Sequence, residues 1–276
     1  GVIFDSLSGE LDFDAQHIVA THAFAQLGDN FARGRFQQNL RTHEFRFLLD
    51  GQLRPLVIAP WFREWWTDFF ATLDFPHSPP LASVDVAGRW RAGHETTVFL
   101  FAEARDAIIR DSPFDYARTR MFIRPNVIDA LELFGTYGEG QLRGTFTRHY
   151  DVTRRAWREF TLSFESTLPF THGAPLLGPQ LAPLLDPYAF ENNPDLKIIG
   201  HFEGPASPEG PRHTLSLRGD STGTFSFHRF PARNLSFAAT VRDGEVTVER
   251  FTAEVANGTL SGNARVWEVA GARRLG

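Results

Sequence analysis

The 276-residue chain contains no cysteine, which excludes disulfide scaffolds, cysteine nucleophiles and thiolate metal sites. Lysine is almost as scarce, because Lys197 is the single one and arginine supplies nearly all of the positive charge. The net charge of −5 argues against a nucleic-acid partner, since unassisted nucleic-acid binders present a basic face. Long apolar runs are also missing, and no stretch approaches the roughly 18 consecutive apolar residues that mark a membrane-spanning helix.

Catalytic and cofactor-binding motifs are missing as well. The sequence has no H-E-x-x-H zinc motif, no P-loop and no G-x-S-x-G nucleophile elbow. His17 and His22 are five residues apart on one predicted strand, so they are expected to point to opposite faces. We therefore expect no enzyme activity, no catalytic residues, no metal site and no cofactor. A β-sandwich enzyme that acts on carbohydrate is an alternative to this expectation.

The beginning of the sequence does not resemble a signal or an anchor. Residue 1 is Gly rather than Met, and no charged region followed by an apolar region comes after it. We expect the chain to be an internal piece of a longer protein, with any signal or membrane anchor outside it.

A segment of 33 residues is repeated along the chain, and its copies span 4–36, 114–146 and 232–264. Each copy contains two turns rich in Gly, Asp or Asn, followed by a strand with one glycine, at Gly34, Gly144 or Gly262. Such a glycine suits a β-bulge or a close backbone approach. The repeat predicts one continuous segment over 1–276, built from units of approximately 4–113, 114–231 and an incomplete 232–276.

Between the copies, the sequence predicts one short amphipathic helix in each of the first two units. The predicted helices span Pro60–Phe70 and Pro179–Tyr188, with apolar residues at i, i+3 and i+4 and a proline near each start. The first carries Trp61, Trp65 and Trp66. We expect this helix to close the end of a sheet or to cover its edge, with a membrane-surface patch as the alternative.

Elsewhere apolar and polar residues alternate, which is typical of antiparallel strands with one apolar face, and the chain has 27 Phe against 4 Tyr. The residues predicted to line that face are Phe13, Ile18, Phe24, Phe45, Phe47, Leu49, Val98, Leu100, Phe160, Leu162, Phe164, Leu215, Leu217, Leu235, Phe237, Val246 and Val248. Two short helices cannot cover roughly a dozen strands, so a sandwich, a closed barrel or a long curled sheet must bury it. The repeat favours a mostly β fold with a long antiparallel curled sheet.

Two motifs connect this pattern with a known family. The final hairpin, LSFAATVRDGEVTVERFTAEVANGTLSGNARVW at 235–267, ends in a G-x-L-x-G strand, and GQLRP precedes the Trp-rich helix and VDVAGRW. In these motifs the chain resembles the AsmA-like family of bacterial envelope proteins, which includes the TamB-like and YhdP-like repeating β-groove, or bridge-like lipid-transfer, proteins. The likeness covers nearly the whole chain and rests on turns and small residues, without a catalytic signature or an N-terminal anchor.

This resemblance implies a taco-shaped sheet that carries phospholipid acyl chains through the periplasm between the inner and outer membranes. It also implies a parent protein that is anchored in the inner membrane. Exposing an acyl chain of about 16 carbons to water costs on the order of 12 kcal/mol, and an apolar trough removes most of that barrier. The alternative is a structural β-solenoid scaffold, or an outer-membrane protein assembly factor, whose interior is filled by side chains.

Overall fold

A computed structural model describes residues 3–59, 67, 69–151, 153–177, 188–269 and 272–276. Within these residues the protein is mostly β, and its 19 strands belong to one antiparallel sheet that is not closed. The mostly β, antiparallel fold class is therefore confirmed. The chain divides into two compact units, unit 1 over residues 1–135 and unit 2 over residues 136–276.

Unit 1 consists almost entirely of antiparallel strands joined by short turns. Its strands are β1 (Ser6–Phe13), β2 (His17–Leu27), β3 (Asn30–Asn39), β4 (Glu44–Gln52), β5 (Leu73–Asp74), β6 (Leu81–Arg89), β7 (Thr97–Ile109), β8 (Ser112–Arg124) and β9 (Val127–Tyr137). Strands β1 to β4 pair in chain order, β4 pairs with β6, and β6 to β8 again pair in order. The short β5 pairs with the end of β7. Helix α1 (Pro55–Ile58) follows β4, and a 3₁₀ turn lies at Gly93–Glu95.

Unit 2 has the same kind of organisation. Its strands are β10 (Gly140–Asp151), β11 (Ala156–Ser166), β12 (Tyr188–Phe190), β13 (Asp195–Glu203), β14 (Arg212–Asp220), β15 (Thr224–Phe227), β16 (Phe230–Arg242), β17 (Glu245–Val255), β18 (Gly258–Val269) and β19 (Ala272–Leu275). The main pairing runs β10, β11, β13, β14, β16, β17, β18, β19. The short β12 pairs with β15, which pairs with β16. Helix α2 (Phe170–Gly173) follows β11 and continues into a 3₁₀ turn at Ala174–Leu177.

Equivalent hairpins occur in the two units. A turn at Arg110–Asp111 connects β7 to β8, and a turn at His228–Arg229 connects β15 to β16. All four turn residues have positive φ, between 47° and 68°, which matches the twist of a two-residue hairpin turn. The division of the chain into repeat units remains a prediction.

The two predicted helices lie almost entirely outside the described residues. Thr67, Phe69 and Phe70 are helical at the end of the first, whereas Tyr188, the last residue of the second, begins β12 instead. Helix α1 starts where Pro55 occupies an N-terminal helical position and Arg54 is extended, as a residue before proline prefers. In the part of the chain that the structure describes, no helix has the length and hydropathy required to cross a bilayer.

The repeated glycines allow close backbone approach. A Cβ on Gly34 would collide with the carbonyl oxygen of Leu48 on β4, although the pairing of β3 with β4 continues past it without a shift. At Gly144 a Cβ would meet the carbonyl oxygen of Ser163 and the ring of Phe164. Strand backbones and aromatic rings therefore pack more closely here than any larger residue would permit.

Candidate functional site

The pairing register assigns each side chain of unit 1 to one side of its strands, because directly paired residues project to the same side. Phe36 pairs with Phe47, Phe47 with Val86, Val86 with Val98 and Val98 with Ile123. We call this side the apolar face of unit 1. The predicted residues that share it are Phe13, Ile18, Phe45, Phe47, Leu49, Val98 and Leu100.

Unit 2 has an apolar face of its own. Leu162 pairs with Gly200, Gly200 with Leu215, Leu215 with Val241 and Val241 with Val246. The predicted residues that share this face are Phe160, Leu162, Phe164, Leu215, Leu217, Phe237, Val246 and Val248. The register of regular strands therefore brings these residues together within their unit, as the alternation indicated.

The prediction that Phe24 shares a face with Ile18 is wrong. Strand β2 carries one more residue than β3 between Ala20 and Ala23, and His22 at this point has a φ of 51°. This bulge reverses the alternation, so Phe24 lies on the opposite side and its ring is 6.3 Å from that of Phe31. Alternation along β2 does not reveal this bulge, because the extra residue is a histidine rather than a glycine, although Gly34 on β3 lies opposite Ala23 where the register resumes.

The opposite side of each unit is lined by ion pairs, and we call it the polar face. In unit 1, Arg46 donates to both carboxylate oxygens of Asp85, at 2.9 and 2.6 Å, and these hydrogen bonds hold the pKa of Asp85 below its usual range. In unit 2, Glu165 lies between Arg143 and Lys197, and the hydrogen bond from Arg143 is the main cause of its lowered pKa. These charged groups thus lie on the side of the strands opposite the apolar face, although exposed Leu48, Phe99 and Ile199 also lie on the polar faces.

Exposure distinguishes the apolar faces from an ordinary core. Fifteen of the 17 residues predicted to line an apolar face are half-buried, while Phe13 is exposed and Leu215 is buried. A packed sandwich core buries such side chains almost completely, and a solvated sheet face does not carry so many of them. These faces are therefore apolar surfaces that the described side chains cover only in part.

Aromatic rings line both apolar faces. In unit 2, the ring of Phe160 lies 5.6 Å from that of Phe146 and 5.7 Å from that of Phe202, across three strands. In unit 1, the indole of Trp90 lies 4.3 Å from the ring of Phe45. Trp90 follows β6 and was not among the predicted lining residues, because Gly88 interrupts the alternation of Val84 and Val86 before it.

Part of unit 2 is filled more completely. Ile198, Leu215 and Val241 are buried and pack against half-buried neighbours, including Leu162 and Phe164. A second cluster contains buried Phe225, Ala232 and Ala253, with Leu235, another predicted lining residue, packed against it. Tyr188 lies beside the second cluster, where burial raises the pKa of its hydroxyl.

Within the described residues, no group of three or more His, Asp or Glu side chains is arranged to hold a metal ion. No protein-family model matches the chain, and comparisons with curated proteins and with solved structures likewise give no match. The arguments for function therefore rest on the two apolar faces and on the residues that line them.

Proposed function

We propose that this chain is a segment of an AsmA-like envelope protein, and that its apolar faces line a groove for phospholipid acyl chains. Its parent protein is anchored in the inner membrane and moves lipid through the periplasm toward the outer membrane, without catalysis. The observation that carries this proposal is the half-burial of the predicted lining residues. Surface that is apolar but incompletely covered retains free energy that an acyl chain can recover, at about 0.8 kcal/mol for each buried CH₂.

The separation of charge supports the same proposal. The Arg46–Asp85 pair and the Arg143–Glu165–Lys197 group lie on the polar faces and keep that side solvated. A lipid tail on the apolar face avoids these groups, while a headgroup at the strand ends remains in water.

A scaffold with a filled interior is the second candidate, and the buried cluster of Ile198, Leu215 and Val241 favours it locally. In that case the side chains of unit 2 complete the interior themselves, and the protein serves envelope assembly as a β-solenoid. The two candidates differ in a simple measurable property, because only an open groove retains phospholipid.

Lipid extraction from vesicles tests the choice. The purified chain is mixed with vesicles of phosphatidylethanolamine and phosphatidylglycerol, recovered, and analysed by native mass spectrometry. We expect peaks heavier than the protein by the mass of a phospholipid. Phe47→Asp should lose them, whereas Phe24→Asp, an equal change on the opposite side of the strands, should keep them.

Absence of bound phospholipid from the folded wild-type chain would overturn the proposal and favour the scaffold. Equal loss in both variants would also contradict it, since the two sides of the strands would then be equivalent. Circular dichroism of each variant shows whether the sheet is intact, so that unfolding is not taken for a loss of lipid binding.

A further inference from the structure

The first strand of unit 1 differs from its sequence equivalents in one respect. Alignment of the repeated segment makes Leu11 equivalent to Met121 and Ala239, which lie on β8 and β16. Leu11 is 63% exposed, whereas Met121 and Ala239 are 8% and 7% exposed. Phe13 repeats this contrast at 78%, against 9% for Ile123 and 7% for Val241.

A neighbouring strand accounts for the difference. Strand β8 lies against β7, where Leu100 pairs with Met121 and Val98 pairs with Ile123. Strand β16 lies against β14 in the same way, and the pairs there are Leu217 with Ala239 and Leu215 with Val241. Strand β1 pairs with β2 along one edge, and among the described residues no strand pairs with its other edge.

We propose that β1 is a strand-addition site that takes an extended antiparallel segment of the type of β7 and β14. The segment carries two aliphatic residues in the pattern aliphatic-x-aliphatic, which cover Leu11 and Phe13. Backbone hydrogen bonds supply much of the affinity, and the two aliphatic side chains set the register. This inference concerns the edge of the sheet and does not depend on lipid binding.

Charge favours such a segment over a second copy of β1. Residues 3–14 contain four acidic side chains and no basic one, with Glu10 and Asp12 exposed on the polar side of β1. Two copies of β1 would bring these carboxylates near one another, whereas a strand like β14 brings an arginine. Transfer of the register between β14 and β16 to β1 places Arg218 opposite Glu10 and Ser216 opposite Asp12.

Strand β1 lacks two of the features that commonly protect an edge strand, which are lysine and proline. It has eight residues without lysine or proline, and it presents Leu7, Leu11 and Phe13 as exposed apolar side chains. Its two carboxylates, Glu10 and Asp12, oppose pairing with another acidic strand, whereas a segment with an arginine opposite Glu10 would offset that repulsion.

A peptide with the sequence of residues 210–222 is a suitable probe, because it contains β14 and carries two arginines. Hydrogen exchange of the intact chain is measured with and without this peptide. We expect roughly tenfold slower exchange in alternate amides of Ser6–Phe13, with no change in β16, the strand that β14 already covers. A control peptide with Leu215→Ser and Leu217→Ser should give no protection.

Variants of the chain separate this site from nonspecific association. Leu11→Ser with Phe13→Ser should abolish the protection, and the exposure of both side chains allows the sheet to remain folded. Leu48→Ser removes an exposed leucine from the opposite side of β4 and should leave the protection unchanged. Equal protection by both peptides, or none by either, would overturn the proposal. Protection of β1 that rises with protein concentration in the absence of peptide would also overturn it, because a second copy would then be the occupant.

Discussion

The ring of Phe237 on β16 lies directly against Gly219 on β14, in the place that a side chain at position 219 would occupy. The two residues are paired across the strands on the apolar face of unit 2. Packing of an aromatic ring on a cross-strand glycine covers backbone that the glycine leaves bare.

Replacement of this glycine gives the first prediction. Gly219→Ala should lower the free energy of unfolding by about 1–3 kcal/mol, because the ring must move out of its packed position. Urea denaturation followed by circular dichroism measures the change. Gly93→Ala is the matched control, since a Cβ there meets no atom within 4 Å, and it should be nearly neutral. Equal stability of the two variants would show that the ring does not depend on the glycine.

A charge on the apolar face of unit 2 should interfere with lipid binding. Phe160→Asp places a carboxylate among the rings of Phe146 and Phe202, where an acyl chain would otherwise lie. We expect extraction of fluorescent phosphatidylethanolamine from vesicles to fall at least fivefold, which corresponds to about 1 kcal/mol of lost binding free energy. Ile199→Asp on the polar face, where Ile199 is exposed, should extract lipid like the wild type. Similar losses for both variants would rule out a one-sided site.

Stability in acid should depend on the pair of Arg46 and Asp85. The hydrogen bonds from Arg46 lower the pKa of Asp85 in the folded state, so the pair stabilises the fold above the unfolded pKa of about 3.9. That contribution is lost as the pH falls through the lower folded pKa. Because both side chains are partly exposed, Asp85→Asn should cost only about 0.2–1 kcal/mol at neutral pH and nothing in strong acid. Urea midpoints measured from pH 2 to 7 test this, and a constant difference would contradict it.

Tyr188 should make the fold sensitive to alkali. Burial raises the pKa of its hydroxyl in the folded state, so stability is complete below the unfolded pKa of about 10 and declines as the pH rises above it. Tyr188→Phe should remove part of this decline, which unfolding curves between pH 8 and 11 will show. Tyr137→Phe removes a hydroxyl from an exposed tyrosine and serves as the control for the substitution itself. A fold equally sensitive to alkali in the Tyr188 variant would place the cause elsewhere.

Regular strands were predictable from the sequence because alternation and pairing follow the same two-residue period. Phe45, Phe47 and Leu49 share a face in the structure for the reason that their spacing indicated. Phe24 was not predictable, because the extra residue that shifts it is a histidine in a left-handed conformation rather than a glycine. Trp90 was not predicted as a lining residue, because Gly88 interrupts the apolar alternation that precedes it.

The buried clusters show a second limit on what the sequence can predict, which is how deeply each apolar residue is buried. Alternation predicts equal burial of Leu215 and Leu217 on the apolar face, yet Leu215 is buried and Leu217 is half-buried. The difference arises from the neighbours that tertiary packing brings to each residue, and a single strand contains no record of them. The same limit explains why the edge position of β1 becomes visible only when its repeat equivalents are compared in the folded state.

The bulge at His22 gives β2 a divided character: its first half contributes Ile18 to the apolar side, and its second half contributes Phe24 to the polar side. Deleting this one residue would leave the composition of the strand almost unchanged, yet it would move each later side chain of β2 to the other side of the sheet. Inserting or deleting one residue inside a strand should therefore be far more disruptive than inserting or deleting two. A change of two residues keeps each later side chain on its original side of the sheet.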